Sequence, residues 1–167
     1  MRLAFIAIAL ALLVVAAWRD LLARTIPNII SVLLLIGGMT SRAFEGLAAL
    51  GWSMLAAGGL GIVLVAIYSR GLLGGGDVKL MSALAVGLPP EAVWNLVVAT
   101  ALAGGIIACG YLLARRLLPR LAPVRSRSLL ARAVVVEAWR IRTHRSMPYA
   151  LAIAAGGACV LIPGLGV

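Results

Sequence analysis

Long runs of apolar residues, broken by short polar or glycine-rich stretches, occupy nearly all of the 167 positions of this chain. Apolar runs of about 20 residues are typical of helices that cross a membrane, because the hydrocarbon core is about 30 Å thick. The pattern therefore predicts an all-α, polytopic integral membrane protein with six transmembrane helices. The predicted helices cover residues 3–18, 27–39, 47–68, 77–89, 93–114 and 148–162.

The polar and glycine-rich breaks between these runs set the expected boundaries. The first helix is expected to end at an interface marked by Trp18 to Asp20, and a short loop is expected over 40–45. The fourth helix must stop by Pro89-Pro90, so it has room for about 13 residues, or roughly 20 Å. It is therefore predicted to be too short to span the hydrocarbon core.

Composition supports a single membrane-embedded domain over residues 1–167, because 63% of the residues are hydrophobic and no polar segment is long enough for a separate soluble core. The two cysteines, Cys109 and Cys159, lie inside apolar runs and form no CxxC pair, which gives no support for a zinc site or a disulfide framework. We expect no metal and no cofactor. Arg2 and the small residues before Trp18 also permit a signal-peptide interpretation of the first run.

The net charge of +10 is distributed in a way that indicates topology rather than nucleic-acid binding. All lysines and arginines except Arg2 and Arg42 fall on one predicted side, which the positive-inside bias makes cytoplasmic. Both termini are then periplasmic, and both aspartates face the cytoplasm. Segment 115–145 contains nine arginines beside an apolar periodicity, which predicts a basic amphipathic segment on anionic lipid between helices 5 and 6.

The chain has only two aspartates, Asp20 and Asp77, and each lies at the edge of an apolar run. A carboxylate near lipid costs free energy, so each aspartate is expected to have a functional or structural role. Two close carboxyl groups share a proton, and such a pair can activate a water molecule and protonate a leaving amine. A single histidine and two cysteines within apolar runs disfavour metal or Cys–His chemistry. The alternative is that each aspartate caps a helix or pairs with a nearby cation.

Three motifs give the chain a resemblance to prepilin peptidases, the membrane aspartic peptidases that process type IV prepilins and archaeal preflagellins. The motifs are Asp20 with Arg24-Thr25-Ile26-Pro27-Asn28, the Gly-x-Gly-Asp stretch from Gly74 to Asp77 with Val78-Lys79-Leu80, and Met147-Pro148-Tyr149-Ala150 with Gly156-Gly157. The chain looks most like the small bacterial members that serve tight-adherence (Flp-type) pili. The arginine-rich stretch has no catalytic counterpart in this family pattern.

The resemblance implies that Asp20 and Asp77 are the catalytic pair, and that the substrate is a prepilin whose short basic leader is cleaved at the cytoplasmic face of the inner membrane. No cysteine-paired insertion follows the first helix, so methyltransferase activity is not expected. Supporting roles are possible for Lys79, Arg24, Asn28, Gly74 and Gly76. Lys79 could instead be a topology anchor, Arg24 and Asn28 simple loop residues, and the glycines a helix terminator.

Other functions stay open at this point. An intramembrane aspartic protease of the presenilin or signal-peptide-peptidase type shares the Gly-x-Gly-Asp motif, but Arg19 stands before Asp20 and Pro148 is followed by Tyr149, so its other motifs fit poorly. An archaeal-type preflagellin peptidase is a further alternative. From other classes, a proton-coupled transporter would use acids near the bilayer midplane, and an assembly scaffold would tolerate loss of either aspartate.

Overall fold

The computed structural model of the chain describes residues 2–117 and 149–162, with side chains through position 113 in the first range. These residues form six α-helices and, within those ranges, no β-strand. In chain order they are α1 (Arg2–Ala23), α2 (Asn28–Glu45), α3 (Leu47–Ser69), α4 (Gly75–Val86), α5 (Pro90–Leu117) and α6 (Tyr149–Leu161). Apart from the end of α5, the predicted basic amphipathic segment 115–145 lies outside the described residues.

The helices are packed around α4, the shortest of them. Seven of its 12 residues are buried, and it packs against α2, α3 and α6. Helix α6 in turn packs against α1 and α5. One cluster of buried apolar side chains takes members from all six helices, among them Phe5, Leu34, Leu84, Leu96 and Ile153. Burial of apolar side chains thus holds the short helix at the centre.

Small residues allow the backbones around α4 to approach closely. A Cβ on Gly38 of α2 would lie 2.7 Å from the Gly87 nitrogen, just after α4 ends. A Cβ on Gly156 of α6 would lie 2.4 Å from the Thr100 hydroxyl of α5. No real Cβ fits at such distances, so these two contacts require glycine and fix where α4 and α6 sit.

Three helices of the described chain are long and apolar enough to cross a membrane: Arg2–Ala23, Leu47–Ser69 and Pro90–Leu113. Large apolar side chains on α3 face outward, including Trp52, Leu55 and Ile62 at 65%, 68% and 74% exposure. Such a surface suits lipid rather than water. The membrane character predicted from the sequence is therefore confirmed. The prediction of six transmembrane helices is confirmed in part, since the described residues form six helices and three of them are clearly long enough to span.

Two predicted boundaries are wrong. Helix α1 does not end at Trp18 but continues through Asp20 to Ala23, because Leu21, Leu22 and Ala23 are good helix formers. The loop expected over 40–45 is helical, because α2 continues to Glu45 and is stopped only by the next residue, Gly46, with a φ of 127°. The expected shortness of helix 4 is confirmed, since α4 has 12 residues and measures about 18 Å.

Candidate active site

Asp20 lies in the last turn of α1, and its side chain is buried although it carries a carboxyl group. The Ala150 backbone N–H donates a hydrogen bond to Asp20 Oδ2 at 3.2 Å. Ala150 is the second residue of α6, so this N–H has no acceptor within its own helix. The N-terminus of a helix also carries partial positive charge, which favours the ionised form of a carboxyl placed there.

Asp77 is the third residue of α4 and lies outside the three helices of spanning length. Its pKa rises from an ordinary value of 3.8 to about 6, chiefly because burial disfavours the carboxylate and next because Asp20 is a nearby like charge. A hydrogen bond from the Gly74 N–H and the Arg24 charge act in the opposite direction. The fold therefore brings together two acids that are fifty-seven positions apart in the chain.

Gly74 leaves the space that the Asp77 carboxyl group occupies. A Cβ at position 74 would lie 2.7 Å from Asp77 Oδ2. Gly76 is approached by the Ile26 side chain at 3.4 Å from the Cβ position, and Gly75 by the Tyr68 ring at the same distance. None of the three has a positive φ, so these glycines are needed for close approach rather than for an unusual backbone angle.

Arg24 ends α1 in a conformation that an arginine seldom adopts. Its φ is 55°, and its backbone N–H donates to the Asp20 carbonyl oxygen at 3.0 Å. Glycine is the usual residue at this left-handed position, and another residue there is strained by about 1 kcal/mol or more. Arg24 is charged and acts electrostatically on Asp77, so the strained residue belongs to the candidate site.

Lys79 and Asn28 form a separate pair away from the carboxyl groups. The Lys79 Nζ donates to Asn28 Oδ1 at 3.2 Å, and both residues are exposed. Lys79 follows Asp77 by two positions, which is about 200° of rotation on a helix, so the two side chains leave opposite sides of α4. The structure thus groups Asp20, Asp77, Arg24 and Gly74, whereas Lys79 and Asn28 line a neighbouring groove.

Tyr149 was not among the residues singled out from the sequence, although it lies in the third motif. It is the first residue of α6, and the Asp77 charge acts on its half-buried phenol group. Its ring packs on α5, where a Cβ at Gly104 would lie 3.6 Å from Cε2. The sequence signal that could have found it is its place in the third motif, at the start of the last apolar run.

The arrangement is suited to proton transfer between two carboxyl groups. Among the described residues there is no group of three or more histidine, cysteine or acidic side chains that could hold a metal ion. What the site does contain is one buried acid with a helix N-terminus donating to it and one acid whose pKa lies near neutrality. A carboxylate and a carboxylic acid in one pocket can act as base and acid together.

Comparison with known proteins gives one match. A sequence model of the type IV leader peptidase family matches residues 7–109, a range that contains Asp20, Asp77 and every supporting residue predicted from the sequence. No curated protein matches the chain, and no solved structure matches it. The family-level expectation drawn from the three motifs is therefore confirmed, on a match that covers more than half of the chain.

Proposed function

Because this chain belongs to the type IV leader peptidase family, we propose that it is an aspartic-type endopeptidase in which Asp20 and Asp77 are the catalytic pair. The observation that carries the proposal is the convergence of these two acids, from the end of α1 and the start of α4, at one partly buried site. Membership of the family supports a peptidase acting on a prepilin. The two-carboxylate chemistry is what the resemblance of the motifs implies, and the proximity of the two acids supports it.

The surroundings of the two acids favour different protonation states. Asp20 accepts a hydrogen bond from the N-terminus of α6, which stabilises its anion. Asp77 has a pKa of about 6, which keeps a proton on it in weakly acidic conditions. We therefore assign Asp20 as the general base and Asp77 as the general acid.

In the first step, the Asp20 carboxylate takes a proton from a water molecule as the water oxygen attacks the scissile carbonyl carbon. The Asp77 carboxylic acid transfers its proton to the carbonyl oxygen at the same time. A neutral tetrahedral diol results, with Asp20 protonated and Asp77 ionised. Neither acid forms a covalent bond to the substrate, so no further nucleophile is required.

In the second step, the diol breaks down to products. Asp20 gives its proton to the amide nitrogen as the C–N bond breaks, and Asp77 takes a proton from one diol hydroxyl group. The products are a carboxylic acid on the leader and a free amine on the mature chain, which exchange their last proton with solvent. Both aspartates return to their starting states.

We propose a Flp-type prepilin as the substrate, cleaved at the cytoplasmic face of the inner membrane. The support is the third motif, the short connection between α1 and α2, and the positive-inside distribution of basic residues. On this topology both chain termini are periplasmic, and Asp20 and Asp77 open to the cytoplasm. Comparing a Flp-type prepilin with a generic transmembrane peptide as substrates separates this assignment from a presenilin-like protease.

The direct test is co-expression of the chain with a candidate Flp-type prepilin, followed by separation of precursor from mature product. Asp20→Asn and Asp77→Asn should each lower the processing rate by about a thousandfold, because each removes one half of the proton exchange. Glu91→Gln is the matched control, since Glu91 is an exposed acid in the first turn of α5. A processed pilin from either aspartate variant at the control's rate would refute the mechanism.

A further inference from the structure

We propose that the groove between α2, α3 and α4 binds an apolar helical segment of the substrate, and that this segment follows the scissile bond. The groove has a volume of about 630 Å³, and neither aspartate lines it. Its residue Lys79 leaves α4 about 200° from Asp77, so the groove lies on the other side of that helix. This inference rests on the proposed peptidase function and adds a binding site to it. The polar mouth of the groove is at Lys79, two residues from Asp77.

Each of the three helices contributes four residues to the groove at positions i, i+3, i+4 and i+7, which is one continuous helix face. The residues are Asn28, Ser31, Val32 and Leu35 of α2, Met54, Ala57, Gly58 and Gly61 of α3, and Lys79, Ser82, Ala83 and Val86 of α4. The groove therefore runs parallel to these helices for about two turns, or roughly 10 Å. That shape suits another helix lying alongside them.

The groove changes from polar to apolar along its length. Asn28 and Lys79, which are hydrogen-bonded to each other, lie at the end nearest Asp77. The other end of the groove is lined by apolar residues, each seven positions along its helix from the polar end: Leu35, Met54 and Val86. A bound segment that begins with polar residues and continues with apolar ones would match this gradient. A substrate chain that runs from the aspartates toward the membrane interior has polar residues first and apolar residues after them.

Small residues on α3 give the groove its depth. A Cβ on Gly58 would meet nothing within 4 Å, so its backbone is open to a neighbour. Gly61 faces the Ser82 side chain, whose hydroxyl oxygen would lie 3.4 Å from a Cβ there. That hydroxyl is buried and has no hydrogen-bond partner among the described residues. Small residues and an unused hydroxyl are features of helix-binding surfaces in membranes.

A substrate can reach both the aspartates and the groove by crossing the N-terminus of α4. Asp77 and Lys79 leave α4 about 200° apart, and a helix with its side chains is about 10 Å across. Extended chain covers about 3.3 Å per residue, so about three or four residues bridge the distance. Gly74 is exposed and has no side chain in the way. The apolar helix is therefore expected to begin about three or four residues after the scissile bond.

The occupant must be helical because the groove opens toward lipid. The outer face of α3 around it exposes Leu55, Ile62 and Val63, which are suited to hydrocarbon. Backbone N–H and C=O groups have no water partner at that depth, so a segment bound there satisfies them within its own helix. Lys79 and Asn28 can bond the non-helical backbone of the crossing residues before the helix starts.

The test compares two neighbouring glycines of α3. Gly58 lines the groove and Gly59 does not, and a side chain at either position meets open space. Gly58→Leu should raise the KM for a prepilin that the wild type processes by about tenfold, since it fills the groove, whereas Gly59→Leu should change it by less than about twofold. A water-soluble peptide that spans the scissile bond but lacks the apolar segment should be cleaved equally by wild type and both variants.

Each other outcome has a defined meaning. If Gly58→Leu processes the prepilin like Gly59→Leu, the groove holds only lipid and the proposal fails. If Gly58→Leu loses cleavage of the soluble peptide as well, the substitution acts on the aspartates and the groove assignment fails. If the wild type and Gly59→Leu cleave neither substrate, the proposed peptidase function itself is wrong, which is a different result from failure of Gly58→Leu alone.

A second measurement locates the bound segment directly. Met54→Cys places a thiol in the groove and Leu55→Cys places one on the adjacent outer face, each in a Cys109→Ser, Cys159→Ser background. With Asp20→Asn to prevent cleavage, a prepilin carrying one cysteine in its apolar segment should cross-link at position 54 and not at 55. Cross-linking between two copies of this chain through position 54, without substrate, would overturn the proposal.

Discussion

Within the residues that the structure describes, two sites hold buried charge, and they are built in opposite ways. At one end of α2, Arg42 is 8% exposed and has a partner for each side of its guanidinium group: Ser53 Oγ at 2.8 Å, the Glu45 carboxylate and the Ala49 carbonyl oxygen at 3.4 Å. At the other site, Asp20 is a nearby like charge that raises the cost of ionising Asp77.

The difference shows which buried charge serves the fold. The partners of Arg42 are all favourable, and they join the end of α2 to the start of α3 across the turn at Gly46. The interaction between the two aspartates is unfavourable for folding when both are ionised, so it does not serve stability. Arg24, in a strained left-handed conformation, lies beside the two like charges. Strain and charge repulsion at one place are typical of a functional site.

The largest expected effect that separates the aspartate site from the Arg42 site is a loss of cleavage activity without a loss of stability in an Asp77 variant. Asp77→Asn should lower cleavage about a thousandfold, because the acid is gone. It should also raise the thermal unfolding midpoint at pH 7, where ionised Asp77 opposes folding. Thermal unfolding in detergent beside a prepilin cleavage assay measures both. A lower midpoint would show that Asp77 serves the fold, as Arg42 does.

Arg42→Met should show the opposite pattern. Removing the guanidinium group leaves Ser53 and Glu45 without their partner and should lower the free energy of unfolding by about 2 kcal/mol. Cleavage per folded molecule should stay unchanged, since Arg42 does not touch the aspartates. Glu91→Gln serves as the control for loss of an exposed charge. A large fall in specific activity of the folded fraction would break the distinction between the two sites.

A smaller effect is expected from the glycine that makes room for Asp77. Gly74→Ala places a Cβ 2.7 Å from Asp77 Oδ2, so the carboxyl group must move. Since a small misplacement of a reacting group can cost about a hundredfold, we expect cleavage to fall by about ten- to a hundredfold with the unfolding midpoint little changed. Gly75→Ala is the matched control, because its Cβ would meet the Tyr68 ring at 3.4 Å. Equal activities of the two variants would contradict the role of Gly74.

The smallest expected effect is a change in pH dependence. In the proposed mechanism the general acid Asp77 must carry a proton, so cleavage should fall as pH rises above about 6. Arg24 lowers the pKa of Asp77, so Arg24→Asn should raise it and move this fall to higher pH. Asparagine tolerates the positive φ at position 24, so the helix end should be kept. Arg19→Asn, an exposed change on α1, should leave the profile in place. A shift to lower pH would reverse the inferred sign.

Stability should follow the same group in a defined window. The folded-state pKa of Asp77 lies above its ordinary value, so its protonation favours the folded state fully below about 3.8. That contribution is lost as pH rises to about 6. In Asp77→Asn this part of the pH dependence should be missing. Thermal unfolding between pH 4 and about 7 measures the difference between the two proteins.

The sequence determined the helical membrane class, the short fourth helix and the identity of the two acids. Apolar periodicity is a local property, and a chain with only two aspartates leaves few choices for paired carboxyl chemistry. Two helix ends were predicted too early, at the end of α1 and over 40–45. Polar residues there suggested that the helices stop, but the helix-forming residues continue them.

Only the tertiary structure decided which residues share the pocket. Lys79 is two positions from Asp77 in sequence but leaves α4 on the other side, whereas Tyr149 and Ala150 come from the far end of the chain. Helix rotation and the close contacts at Gly38 and Gly156 set these neighbours. Such relations depend on packing between segments that are distant along the chain, so no local pattern encodes them.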